Sequence, residues 1–253
     1  MLKSWVVRLA LLLAVVAAIL LPAAGLGNRL DLWSFREGFT LLRVGLGVTA
    51  AAIVVSLIAL IWSIASRPRQ GVMMALSALV IALAVAVVPA MAVVDARMGG
   101  YPAIHDITTD TDNPPEFIAV MPAREGANTA VYTENTMPFG PDKGKTYAEI
   151  QKIYYPDIQP MELREPMDEA FKKALQAAED MGWEIVAAEP DTGRIEATAT
   201  TFWFGFKDDV VIRLTPEEEG TRVDVRSLSR VGMSDIGANA KRVRAYMEKL
   251  QAG

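Results

Sequence analysis

Residues 226–242 read RSLSRVGMSDIGANAKR, the stretch in which side chains able to do chemistry lie closest together. Arg226 and Arg230 alternate with serines and run through Gly232 to Asp235, Asn239 and Arg242. A chain that passes through a glycine turn into a helix offers backbone N–H groups at the helix start. With guanidinium groups beside them, those N–H groups could hold a phosphate or a carboxylate. Arg213, Arg226, Ser229, Arg230, Asp235, Asn239 and Arg242 form the candidate binding set. Asp208, Asp209 and Asp224 supply the opposing reading. They can pair with the arginines and lock the last turn to a sheet, with the charges neutralised and no ligand needed. The lock is the favoured expectation.

The run Phe202-Trp203-Phe204-Gly205-Phe206 sets four aromatics around one glycine. It reads first as a hairpin end plugging the core. Alternatively, Trp203, Phe204 and Phe206 wall an apolar pocket suited to a lipid-like ligand, or touch a bilayer. Asp106, Asp110 and Asp112 invite a calcium loop, but counting from Asp110 the glycine and glutamate that such a loop needs are missing. A solvated acidic loop is expected instead. His105 is the one histidine and has no partner at metal-ligand spacing. No cysteine exists to serve as nucleophile, zinc ligand or disulfide. Gly-x-Ser-x-Gly, phosphate-loop and dinucleotide patterns are all missing, so neither a metal nor a cofactor is expected, and an enzyme is not the expected class.

The elements that must carry these residues fall into two halves. Residues 1–100 hold eight basic and three acidic side chains, and the rest hold 17 and 27, so charges of +5 and −10 lie behind the overall −5. A net-acidic second half argues against nucleic acid as a partner. Apolar runs lie near residues 5–26, 44–64 and 72–94, and the last two are 21 and 23 residues without a charge. About 20 helical residues cross a hydrocarbon core of about 30 Å, so three transmembrane helices are expected within residues 1–96. Lys3 and Arg8 ahead of the first run, with Pro-Ala-Ala-Gly after it, also describe a cleavable signal. The length of the run favours retention. Gly45, Gly47, Thr49 and Ala51 put small residues four apart, a spacing that lets helices approach. Basic residues divide evenly between the two sides. The acid-free Arg67-Pro68-Arg69 turn tilts the reading to a cytoplasmic N-terminus and an outward-facing C-terminal half.

Residues 97–160 read as an extended Pro/Asp-rich linker, partly packed on the C-terminal domain. Residues 161–253 form an α+β two-layer domain: one amphipathic helix, an antiparallel four-stranded meander, then a second helix. The strands are expected at 183–189, 194–201, 208–215 and 221–229. Strand alternation puts Ile195, Ala197, Ala199, Val210, Ile212, Leu214, Val223 and Val225 under the helices. The opposite face then carries Glu196, Thr198, Thr200, Arg213, Asp224 and Arg226, to be solvated, covered by the preceding segment, or used for binding.

The 226–242 stretch, with Phe206-Lys-Asp208-Asp209-Val210 and Ile104-His-Asp-Ile-Thr-Thr-Asp110, resembles a bacterial and plastid family known as domain of unknown function 1499, in its membrane-anchored subgroup. The resemblance covers residues 101–250 and implies a domain architecture and an envelope setting, but no reaction. The family's early cysteine is missing here, so no thiol role carries over. The expected protein is a multi-pass protein of the bacterial inner (plasma) membrane, its domain facing the periplasm as a non-catalytic binding or scaffolding module. Expected partners are membrane lipid, with another envelope protein or a lipid-like or anionic ligand. The alternatives are a membrane-tethered enzyme, or a transport accessory or sensor.

Overall fold

A computed structural model describes residues 2–132 and 135–252, with side chains from Ser4 onward. The chain forms two compact units, Met1–Gly100 with Phe202–Gly205, and Tyr101–Thr201 with Phe206–Gly253.

The first unit is a bundle of three helices: α1 (Leu2–Arg29), α2 (Phe35–Ala65) and α3 (Val72–Met98). All three are long and apolar enough to cross a membrane. They are apolar all round, so amphipathicity does not decide which side packs. Residue size decides it. Ala10, Ala14, Ala17 and Ala24 of α1, Gly45, Thr49, Ala52, Ser56, Ala59 and Ser63 of α2, and Ala75, Ala78 and Ala82 of α3 are buried. Leu12, Val54, Ile58, Ile61 and Val80 point outward. Small residues every three or four positions let the backbones approach, which is how helices gain contact where no water is present to drive them together. Of the expected small pairs, Gly45 and Thr49 face inward, while Gly47 and Ala51 are exposed. Ser34 and Glu37 close a reciprocal capping box at the start of α2.

The second unit is built on a six-stranded antiparallel sheet. Its meander is β3 (Glu184–Glu189), β4 (Arg194–Thr200), β5 (Lys207–Glu217) and β6 (Gly220–Ser229), as the alternation predicts. Two short strands, β1 (Asp106–Thr108) and β2 (Met161–Leu163), pair end to end along the free edge of β6. Helices α5 (Met167–Asp180) and α6 (Ala238–Ala252) cover one face. Under them lie all eight of the residues expected there, joined by Ile107, Phe171, Trp183 and Tyr246.

The expected linker is corrected. Residues 101–160 belong to the second unit and supply much of its core: Ile104, Ile107, Tyr132, Tyr147, Ile150 and Tyr155. They also form β1 and a short helix, α4 (Tyr147–Tyr154), capped by Thr146 and Glu149. At the outer edge of β1, the buried Gln151 side chain accepts from Thr108 N at 3.0 Å and donates to Thr108 O, imitating one more strand residue.

Candidate functional site

The period of two along β6 divides the 226–242 motif between the two faces of the sheet. Arg226 and Arg230 lie on the face away from the helices, while Ser227 and Ser229 lie under α6. A single anion pocket holding all seven candidate residues is therefore not what the structure assembles.

On the outer face, Arg226 is 2% exposed and Asp106 is fully buried. Arg226 Nε and Nη2 donate to the two Asp106 oxygens at 3.0 and 2.8 Å. Its other N–H groups reach Pro115 O at 3.0 Å and Ala130 O at 2.7 Å. The guanidinium stacks between Phe117 and Tyr132, 5.0 and 5.4 Å from their ring centres. Its bonding is thus directed at protein atoms. Arg230 makes a two-pronged bond to Asp209 at 2.9 and 2.8 Å, and Thr198 Oγ1 donates to Asp209 at 2.8 Å. Arg124 closes on the same carboxylate from the other side. Burial pushes the Asp209 carboxyl up, but bonds from Arg230, Thr198 and Arg124 outweigh it and hold the group below the usual aspartate range. Arg213 and Arg222 both pair with the buried Asp224, at 2.8 and 3.1 Å.

Residues 113–131 run over this face as a strap, seated by Phe117 and Val120 against Val211 and Leu228. Glu196, fully buried, pins it by accepting from the backbone N–H groups of Ile118, Ala119 and Val120 at 3.0, 3.0 and 2.9 Å. Of the three fates open to the polar face, coverage by the preceding segment is the one realised.

On the helix side, Asn239 ties the strand to α6. Its amide donates to Ser229 Oγ and His105 O, both at 2.9 Å, and accepts from Ser227 Oγ at 2.7 Å. Arg242 pairs with Asp208 at 2.6 Å. The N–H groups expected to hold an anion are taken: Asp235 accepts from Gly237 N and Asn239 N, both at 2.8 Å. Burial pushes the Asp235 carboxyl up despite those two bonds. His105 Nδ1 meets Tyr147 Oη at 3.1 Å, and burial raises that phenol to about 12. Among the described residues, no group of three His, Asp or Glu side chains could hold a metal ion.

The aromatic run does not plug the sheet domain. Trp203 and Phe204 belong with the helical unit, where Trp203 Nε1 donates to Pro22 O at 3.1 Å and Phe204 packs on Phe39 at 5.1 Å. Phe202 is 84% exposed, and Phe206 alone returns to the second unit.

Asp106, Arg124, Glu196 and Phe117 are the decisive partners that sequence reading missed or left unassigned. Asp106 is an interior strand residue, not the loop acid expected. Asp110 and Asp112 do lie in a loop, beside a groove of about 570 Å³ between residues 109–113 and α4. There Arg222 pairs with Asp110 and Lys152 with Asp112, each at 2.8 Å. Unlike the buried pairs, Lys152 and Asp112 are 55% and 84% exposed at the side chain.

No curated protein matches this chain. The crystal structure of TTHA0849 from Thermus thermophilus aligns with 37% of this chain and 92% of its own, at 13% identity and a TM-score of 0.24, a likeness too slight to carry anything over. Residues 106–250, from β1 into the last turn of α6, match the family described as Protein of unknown function (DUF1499), to which the chain therefore belongs.

Proposed function

We propose that this membrane protein presents its α+β unit outside the cytoplasmic membrane as a non-catalytic binding or scaffolding module, with the 109–113/α4 groove as its working surface. The observation that carries the reading is the contrast between two kinds of ion pair. The Arg226–Asp106 and Arg124–Asp209 pairs, each at 2% and 0% exposure, are sealed and committed to the fold. In the groove, Lys152–Asp112 is open to solvent, and an exposed pair contributes about 0–1 kcal/mol, so it exchanges for a partner's charges at little cost. A surface with both signs suits a polar loop of another envelope protein. The lipid-like ligand expected from the aromatic run loses support, because Trp203 and Phe204 are occupied by helices.

The test compares full-length protein with Lys152→Glu and with Lys172→Glu, the latter at an exposed position of α5. A partner cross-linked from position 111 should be captured by the parent and by Lys172→Glu, and lost with Lys152→Glu. Equal capture by all three removes the groove from the reading. Sidedness is checked on the same protein. With no native cysteine, a single cysteine at Ser4 or Ala252 reports its side directly. Position 252 should react with a membrane-impermeant maleimide from outside and position 4 should not.

A further inference from the structure

The helical unit carries a second feature, independent of the groove reading and resting only on the membrane location of the helices. At the end where α1 begins and α2 turns into α3, a cavity of about 350 Å³ opens between the elements, lined by Arg8, Arg67, Gln70, Gly71 and Met74 among others. No Asp or Glu occurs among residues 1–30 or 38–94, and all three acids of the first hundred residues lie at the opposite end of the bundle. Arg8 and Arg67 therefore have no carboxylate within reach on their own helices or turn. In the second unit, arginines beside cavities are neutralised: Arg222 by Asp110 and Asp224, Arg244 by Asp157. Gly71, on the cavity wall, has a φ of 83°, the left-handed region that favours glycine, and a β-carbon there would stand 3.3 Å from Val7.

We infer that this cavity holds the phosphodiester of an anionic glycerophospholipid drawn from the surrounding leaflet. A guanidinium offers paired N–H donors of the kind that the two free oxygens of a phosphodiester accept, and two such groups more than balance its single negative charge. The helices below the cavity are apolar all round, as acyl chains require, and basic pockets between spanning helices are where acidic headgroups collect. A free inorganic anion has no use for that apolar continuation, so the lipid is the source we assign.

Native mass spectrometry of the full-length protein in detergent tests this. Phosphatidylglycerol and phosphatidylcholine with identical chains are offered in competition. The parent should retain the glycerol lipid about ten- to thirty-fold better, the value expected from about two interfacial arginines. Arg8→Gln with Arg67→Gln should abolish the preference, and Arg36→Gln with Arg43→Gln at the other end should leave it intact. Met74→Trp narrows the cavity without changing charge and should reduce the preference too. It keeps the test alive if the arginine variants insert poorly. Equal retention of the two lipids by the parent overturns the proposal, as does a preference unaffected by Met74→Trp. Displacement by millimolar inorganic phosphate would overturn the lipid assignment in favour of a free-anion site.

Discussion

Arg226 is held on all sides: two carboxylate oxygens, two backbone carbonyls and two aromatic rings. Removing one member of a buried pair strands the other charge, at about 3–5 kcal/mol, so Asp106→Ala should bring the urea midpoint of the second unit down sharply in pulse proteolysis. Replacing both, Asp106→Leu with Arg226→Met, should recover most of the loss if the pair serves the fold alone. A second prediction concerns acid. The lowered carboxyl of Asp209 means that its contribution is complete above the ordinary aspartate value of about 4 and is lost as pH falls through the native value. Asp209→Asn should accordingly flatten the low-pH limb of stability measured from pH 6 to pH 2. At this scale the sequence was half readable. The pairing of Asp208 and Asp209 with motif arginines, and of Asp224 with Arg213, follows from charge and alternation. Asp106 and Arg124 do not follow, because they reach their partners from far along the chain and nothing local marks them.

The strap over the outer face is held by the sheet beneath it, through Phe117 and Val120, through Arg226 and through Glu196. Glu196 gathers three successive backbone N–H groups from 118–120, and bonds to an ionised acceptor are each worth about 1.5–3 kcal/mol. Glu196→Gln replaces an acceptor with a donor and removes the charge. Hydrogen exchange should then speed up at Ile118, Ala119 and Val120 by at least about tenfold. Amides of β5 and β6 should keep their protection; if the whole sheet loosens instead, the clamp is not local. The strands and both covering helices were legible because burial on one face imposes a period. The strap has no period, since its backbone follows the sheet beneath it and its anchoring residues are spaced by that surface. Read alone, it looked like a linker.

Three apolar helices packed through alanine, glycine and serine, with large aliphatic side chains outward, make a unit that belongs in hydrocarbon. Alkaline carbonate should therefore leave the full-length chain in the vesicle pellet, and recovery in the supernatant would contradict the spanning assignment. Its presence was plain from run length, although the helices extend past the apolar runs at their ends, to 2–29, 35–65 and 72–98. In the second unit, β6 is hydrogen-bonded along both flanks, by β5 on one side and by β1 and β2 in tandem on the other. This arrangement bears on how the protein can be cut. A fragment starting at residue 161 keeps the meander and both long helices, yet it bares half a strand's ladder together with a row of unmatched guanidinium and carboxylate groups. Such a piece should precipitate on expression, whereas one beginning at Tyr101 carries its own edge guard and should stay dissolved.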